Sequence, residues 1–218
     1  LEIVLIPVER GRICGVSGAS AELVRLISAE SPQPERIAAL LDSLNLAEQI
    51  AAVRSLRGRR VQRALWRVAA ANPPVKVTDL VPPDYPPEQP AVFHGKNSLP
   101  AFTSFEKICF RPEGAPPDCL WGYNETPAKV FIGPGYYVVR DTPGASFGAC
   151  AFDYTVLPER GLAGWPPVRS NAAGLSRFVY NGTIDYVRRL ARDVFIGQAT
   201  RRGRPLDTYF VVVRELSA

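Results

Sequence analysis

The sequence predicts an α+β protein, with N-terminal helices followed by an antiparallel β-barrel or sandwich. Three observations carry this reading. Apolar residues recur at helical spacing through residues 20–71, seven prolines crowd into residues 72–90, and seven short segments rich in β-branched and aromatic residues follow, separated by Gly, Pro and Asn. Only one helical candidate lies among those strands, which argues against alternating βαβ units. The expected organisation is a helical segment over 1–72, a proline-rich connector over 73–100 and the barrel over 101–218.

Residues 1–8 read as a short buried strand, followed by a loop with Gly11, Gly15 and Gly18 and a helix over 20–29. A strand, a glycine-rich turn and a helix can cradle phosphate, but there is no Gly-Lys-Ser/Thr ending and no G-x-G-x-x-G. Gly15-Val-Ser17-Gly18 also misses the G-x-S-x-G nucleophile elbow by one residue. A second helix starts at Pro34, a residue suited to a first helical position, and turns Ile37, Leu40, Leu41 and Leu44 inward. A third covers 46–71, with Leu46, Ile50, Val53, Ala64, Leu65 and Val68 on one face and Arg57, Arg60, Arg63 and Arg67 on another. Gly58 weakens its middle by about 1 kcal/mol relative to Ala, which leaves open two helices in place of one.

The prolines of the connector prohibit helix and predict extended chain lying over a surface. Beyond it the predicted strands are 102–110, 129–132, 136–140, 149–156, 175–180, 194–200 and 208–215, and the helical candidate is 183–192.

Composition narrows the function. The chain of 218 residues is 46% hydrophobic and 22% charged, enough to bury a core, and no apolar run approaches the ~20 residues of a membrane-spanning helix. The net charge of +5 is local: residues 46–76 hold 7 basic and 1 acidic group, whereas residues 77–218 hold 15 and 14. A nearly neutral barrel half does not read as a nucleic-acid binder; the arginine-rich helix could dock an anionic protein or membrane surface. Cys14, Cys109, Cys119 and Cys150 form no C-x-x-C pair and lie far in sequence from the single histidine, so neither a metal nor another cofactor is expected. The N-terminus lacks the features of a secretory signal, and a cytoplasmic location is expected.

Strand parity proposes site residues. Cys150, Phe152, Tyr154 and Val156 form an apolar face, leaving Asp153 and Thr155 to solvent. Over 102–110, Glu106 shares a face with Phe102, Ile108 and Phe110, while Lys107 shares the other with Thr103, Phe105 and Cys109. A carboxylate among apolar neighbours has a raised pKa and suits general acid–base work; the competing reading is a structural ion pair with an arginine. Ser176, Phe178 and Tyr180 share one face, as do Val194, Ile196, Gln198 and Thr200; turned inward, they would line a largely apolar pocket with a few polar groups. The filled-core alternative stays open. His94, in a loop ahead of the first expected barrel strand, is the one side chain that titrates near neutrality unperturbed. Candidate catalytic groups are thus Glu106 and His94, and candidate ligand contacts are Tyr154, Tyr180, Phe152, Phe178 and Gln198. Arg57, Arg60, Arg63 and Arg67 are the candidate contacts to an anionic partner.

The stretch Tyr180-Asn-Gly182-Thr-Ile-Asp185-Tyr-Val-Arg188, followed by Phe195-Ile-Gly197, Gly203 and Tyr209-Phe210-Val-Val-Val-Arg214, resembles the C-terminal half of small bacterial lipocalin-like proteins of the GXWXG type. The family's G-x-W-x-G-K would fall on Ala91-Val-Phe93-His-Gly95-Lys96, where only the final Gly-Lys is kept. The resemblance implies a lipocalin-like, calycin barrel and carries over no catalytic residue. The function expected is binding of a hydrophobic small molecule such as a lipid, terpenoid or polyketide-like compound. Whether the chain carries it or acts on it as a cofactor-free isomerase or cyclase is open.

Overall fold

The computed structural model describes residues 11–101 and 103–217, so the expected strand at 1–8 and the place of Phe102 lie outside the described residues. Four helices come first: α1 (Gly11–Ile27), α2 (Pro34–Asp42), α3 (Leu46–Ser55) and α4 (Arg59–Val68). The expected glycine-rich loop is therefore helical from Gly11. Pro34 opens α2, and Asn45 and Glu48 form a reciprocal capping box that opens α3. Gly58 divides the arginine-rich segment into two helices, because its φ of 83° is one that a side chain would strongly disfavour.

A closed antiparallel barrel follows, with its eight strands paired in chain order. They are β1 (Ala91–Asn97), β2 (Ser104–Phe110), β3 (Cys119–Glu125), β4 (Tyr137–Asp141), β5 (Cys150–Asp153), β6 (Thr183–Arg189), β7 (Val194–Arg201) and β8 (Arg204–Leu216). β1 closes the ring on β8 through the pairs Ala91 with Leu216 and Asn97 with Phe210. Helices before a closed antiparallel barrel make the α+β class, as the sequence predicts, and this architecture is consistent with a lipocalin-like fold.

Several element assignments change. β1 lies inside the expected connector, so the barrel begins at Ala91 and not at 101. β3 falls on residues read as loop. The predicted helix over 183–192 is replaced by strand β6 over its first seven residues, while 129–132 and 175–180 hold the one-turn helices α6 (Lys129–Ile132) and α7 (Ser176–Val179) instead of strands. β6 escapes a hydrophobic template because its inward residues, Thr183, Asp185 and Val187, are mostly polar although buried.

Two cores share the wall of β7 and β8. Inside the barrel lie Phe93, Cys109, Tyr137, Phe152, Phe195, Phe210 and Val212. Outside, Val194, Ile196, Val211 and Val213 pack against Leu23, Ile37, Leu41, Val53, Leu65 and Trp66 of the helices. Both faces of these strands are covered, which explains the unbroken apolar run over 209–213. Val194 and Ile196 thus face the helices, contrary to the inward orientation expected of them.

The connector does more than lie over a surface. Through α5 (Val77–Leu80) it drives Val75, Val77, Leu80, Val81 and Tyr85 into the base of the barrel core. Arg111 locks it by donating to the carbonyls of Val81, Pro82, Pro83 and Tyr85. A third cover, the 154–171 loop, lays Trp165 against Phe110 and Tyr123 on the outer face of β2 and β3. With its base plugged, the barrel can open at the other end alone.

Candidate functional site

That opposite end holds a cavity of about 610 Å³. Its walls are mainly apolar, from Leu99, Phe105, Phe131, Ile132, Phe178, Ala199, Leu206 and Phe210, with Tyr154 and Tyr180 among them. Gly95 and Gly197 make room for two of the wall rings. They lie beneath the rings of Phe105 and Phe210, where a side chain would collide, and the two rings meet edge to face at 6.0 Å.

The floor carries the charge. Lys107 is fully buried and donates to Asp185 Oδ2 at 3.0 Å, to Asn124 Oδ1 at 3.2 Å and to the Tyr154 hydroxyl. Asn124 Nδ2 donates to Tyr154 Oη at 3.0 Å and to the Gly135 carbonyl at 3.1 Å. Having accepted twice, Tyr154 Oη can give its single proton to Asp185 Oδ2 or Asn124 Oδ1, each 3.2 Å away. The second carboxylate oxygen, Asp185 Oδ1, receives no hydrogen bond from the described residues, and Asp185 is among the residues that line the cavity.

Burial disfavours the ammonium and pushes the Lys107 pKa down, against the opposing pull of Asp185. Aromatic faces offset part of that desolvation: Nζ lies between 4.6 and 5.8 Å from the ring centres of Phe105, Tyr137, Phe152, Tyr154 and Phe210. Burial, reinforced by the Asp185 charge, raises Tyr154 and Tyr137 well above the ordinary phenol range. Tyr154 is thereby kept protonated, as a donor. The floor offers a carboxylate acceptor beside an ammonium and a phenol, the equipment needed to orient a polar group or move a proton at the end of an apolar chamber.

Of the residues singled out in the sequence, Tyr154 and Tyr180 line the cavity with their rings stacked at 5.2 Å. Phe152 lies deeper, under Lys107. Phe178 stands at the mouth on α7, largely exposed, so its expected strand face does not exist. Gln198 belongs to the opposite face of β7 from Ala199 and bonds the Leu206 carbonyl and the Tyr209 hydroxyl. Asp153, expected in solvent, is fully buried at its carboxylate and held by Arg140 and Thr155.

Glu106 and His94 do come together, but on the outer wall. His94 sits on β1 opposite Glu106 of β2 and between two carboxylates, with Nδ1 2.9 Å from Glu106 and Nε2 2.6 Å from Glu215. The apolar neighbours of Glu106 proved to be the outer face of β2, buried in part beneath Trp165. The ion pair anticipated with arginine is instead this histidine bridge. Arg57, Arg60 and Arg67 are exposed, while Arg63 is ion-paired with Asp207.

The sequence reading missed Lys107, Asn124 and Asp185. Lys107 was detectable: its parity with Phe105 and Cys109 already placed it on an apolar face. Asp185 stands among the residues that carry the lipocalin-like resemblance. Asn124 had no local signal, because β3 itself was not recognised.

Among the described residues no cluster of His, Cys, Asp and Glu could hold a metal, and no helix is long and apolar enough to cross a membrane. Comparison with protein-family models, curated proteins and solved structures finds no match to the chain.

Proposed function

We propose that the barrel binds a hydrophobic small molecule of the lipid, terpenoid or polyketide type, with its polar end on the Lys107–Asp185–Tyr154 floor. The observation that supports this most is the cavity itself. About 610 Å³ of mainly apolar space above one buried, hydrogen-bonded charge cluster has the size and composition of a ligand chamber. A lipocalin-like ancestry of the GXWXG kind belongs to the same proposal, since such barrels of eight strands are wide enough to enclose one small ligand.

The free acceptor Asp185 Oδ1 favours a ligand whose polar end donates a hydrogen bond, such as an alcohol or an enol, over a carboxylate, which that oxygen would repel. Any proton transfer in this chamber falls to Asp185, Tyr154 and Lys107. Glu106 and His94 lie on the far side of the wall.

The test is uptake of the neutral fluorophore N-phenyl-1-naphthylamine by the full chain, followed by competition with long-chain alcohols and the matching carboxylic acids. Saturable uptake, abolished by Ala199→Trp and competed better by the alcohols, is the expected result. Uptake that Ala199→Trp leaves intact in a folded protein would place the probe elsewhere and overturn the proposal.

A further inference from the structure

The mouth of the cavity is built in an unusual way. Large apolar side chains stand in solvent around it, on the one-turn helices α6 and α7 and their flanking loops: Val130 is 80% exposed, Phe131 76%, Phe178 61% and Leu175 53%, joined by Leu99. Isolated exposed apolar residues are ordinary, but a ring of them around one opening is a contact surface. Loops 98–103, 126–136, 170–182 and 202–203 contain no Asp or Glu, but they do contain Lys129, Arg177 and Arg202. Arg201, at the end of β7, donates to the carbonyls of Phe178 and Val179 and forms no ion pair among the described residues. Of the flanking carboxylates, Glu125 is paired with Lys129, and Asp207 with Arg59 and Arg63.

Helix α4 adds to this end of the molecule. Its N-terminal Arg59 and Arg63 reach Asp207, and Gln62 reaches the Lys96 carbonyl near the mouth end of β1, while its far end meets Arg188 through Trp66. The exposed Arg57 and Arg60 therefore flank the open end, and Arg67 is turned toward the base.

From this we infer that the mouth docks on an anionic lipid bilayer, with Val130, Phe131, Leu175 and Phe178 entering the interface and Arg57, Arg60, Arg177 and Arg202 facing the headgroups, so that an apolar ligand passes between bilayer and cavity without crossing water. The passage of ligand rests on the binding function proposed above; the docking does not. A second copy is a poorer occupant. A two-fold interface would set these arginines against their own counterparts, with no free carboxylate in the mouth loops to answer them. A protein partner would also seal the opening, whereas a fluid bilayer leaves Phe131 and Phe178, which line the cavity as well as the rim, free to admit ligand.

Co-sedimentation of the full chain with phosphatidylcholine vesicles, with and without phosphatidylglycerol, tests this. Binding should need the anionic lipid and should fall as salt rises. Replacing Arg177→Gln together with Arg202→Asn should weaken it roughly 25-fold, at about fivefold for each basic residue near an anionic surface. Val130→Ser with Leu175→Ser, which touch neither cavity nor core, should reduce it by roughly tenfold or more. Neither pair should change fluorophore uptake in vesicle-free buffer. Uptake without vesicle binding would reject the docking and leave the cavity reading intact; vesicle binding without uptake would do the reverse. Equal binding to neutral vesicles would reject the role given to the arginines. A dimer dispersed by Val130→Ser with Leu175→Ser, with no vesicle binding, would assign the surface to a second copy and overturn the inference.

Discussion

Removing the Lys107 ammonium should be among the most damaging single changes the barrel can suffer, and removing its partner as well should undo much of the harm. In Lys107→Met the side chain keeps its length and its apolar contacts, but Asp185 Oδ2, Asn124 Oδ1 and Tyr154 Oη all lose a donor. The Asp185 carboxylate is then left uncompensated with about a tenth of its side chain exposed. Breaking a buried pair from one side costs about 3–5 kcal/mol. At about 2–4 °C per kcal/mol for a chain of this size, the melting temperature should fall by roughly 6–20 °C. Asp185→Leu should cost a similar amount through the stranded ammonium. In the double variant neither charge of the pair remains on the floor, and Asn124 and Tyr154 still bond each other, so the loss should be about 2 kcal/mol or less. Urea unfolding of the four proteins, read by tryptophan fluorescence, gives the coupling directly, expected at about 4 kcal/mol or more. Two single changes that each cost less than about 1 kcal/mol and simply add would show that water already solvates the pair, and the picture of a dry, charged floor would be wrong.

The same pair has a pH signature. Burial lowers the Lys107 pKa from 10.5, so the unfolded chain binds more protons than the folded one between the lowered value and 10.5; the stability this group contributes is fully present above that window and lost as pH falls through it. The stability of wild type relative to the double variant should therefore rise from pH 7 to pH 10, and a flat or falling difference in the unfolding titration would contradict the assignment. Glu106→Gln and His94→Gln should each leave fluorophore uptake within about twofold of wild type, because both side chains are outside the wall; a large loss in either would return them to the site. Burial pushes the Cys109 thiol up to about 12 and Cys150 well above its ordinary value, whereas Cys119 is part-exposed. Of these three, alkylation of the native protein with iodoacetamide at mild pH should modify Cys119 first, and peptide mass spectrometry showing equal labelling would mean that the barrel opens on that timescale. Asn45→Ala removes the capping box of α3 and should cost about 1 kcal/mol in urea unfolding; no change would mean that packing alone fixes this helix.

The sequence made the class of the fold legible because helix period, proline run and strand punctuation occupy separate stretches of the chain. The site was less legible, for reasons particular to a covered barrel. Parity identifies the core face of a strand only when the other face is wet, and here β7 and β8 carry helices outside while β2 and β3 carry Trp165. Phe110 on the outer wall thus gave Glu106 apolar company that belonged to the wrong side. The inward residues of the site are polar or very small, as with Thr183, Asp185, Gly122 and Asn124, so β3 and β6 lacked the alternation that marks a strand. The feature that made the cavity hard to read is the one that makes it chemically useful.

This arrangement also explains how the barrel sustains a cavity in its upper half. Residues that line a cavity make fewer contacts with one another than those of a close-packed core, and a buried ion pair contributes little net stability. The compensation lies outside the chamber: a helical core against β7, β8 and β1, an aromatic cluster over β2 and β3, and the proline-rich plug locked to Arg111 and Arg214 at the base. All three covers bury apolar surface without occupying the cavity, and the two lateral ones hold strands that carry Lys107, Asn124 and Ala199 into it. Rigid walls supported from outside keep a floor group in place beneath the chamber, the division of labour that the proposed binding site requires. It follows that helix-side substitutions such as Trp66→Ala should lower stability with little effect on cavity affinity, whereas Ala199→Trp should do the opposite.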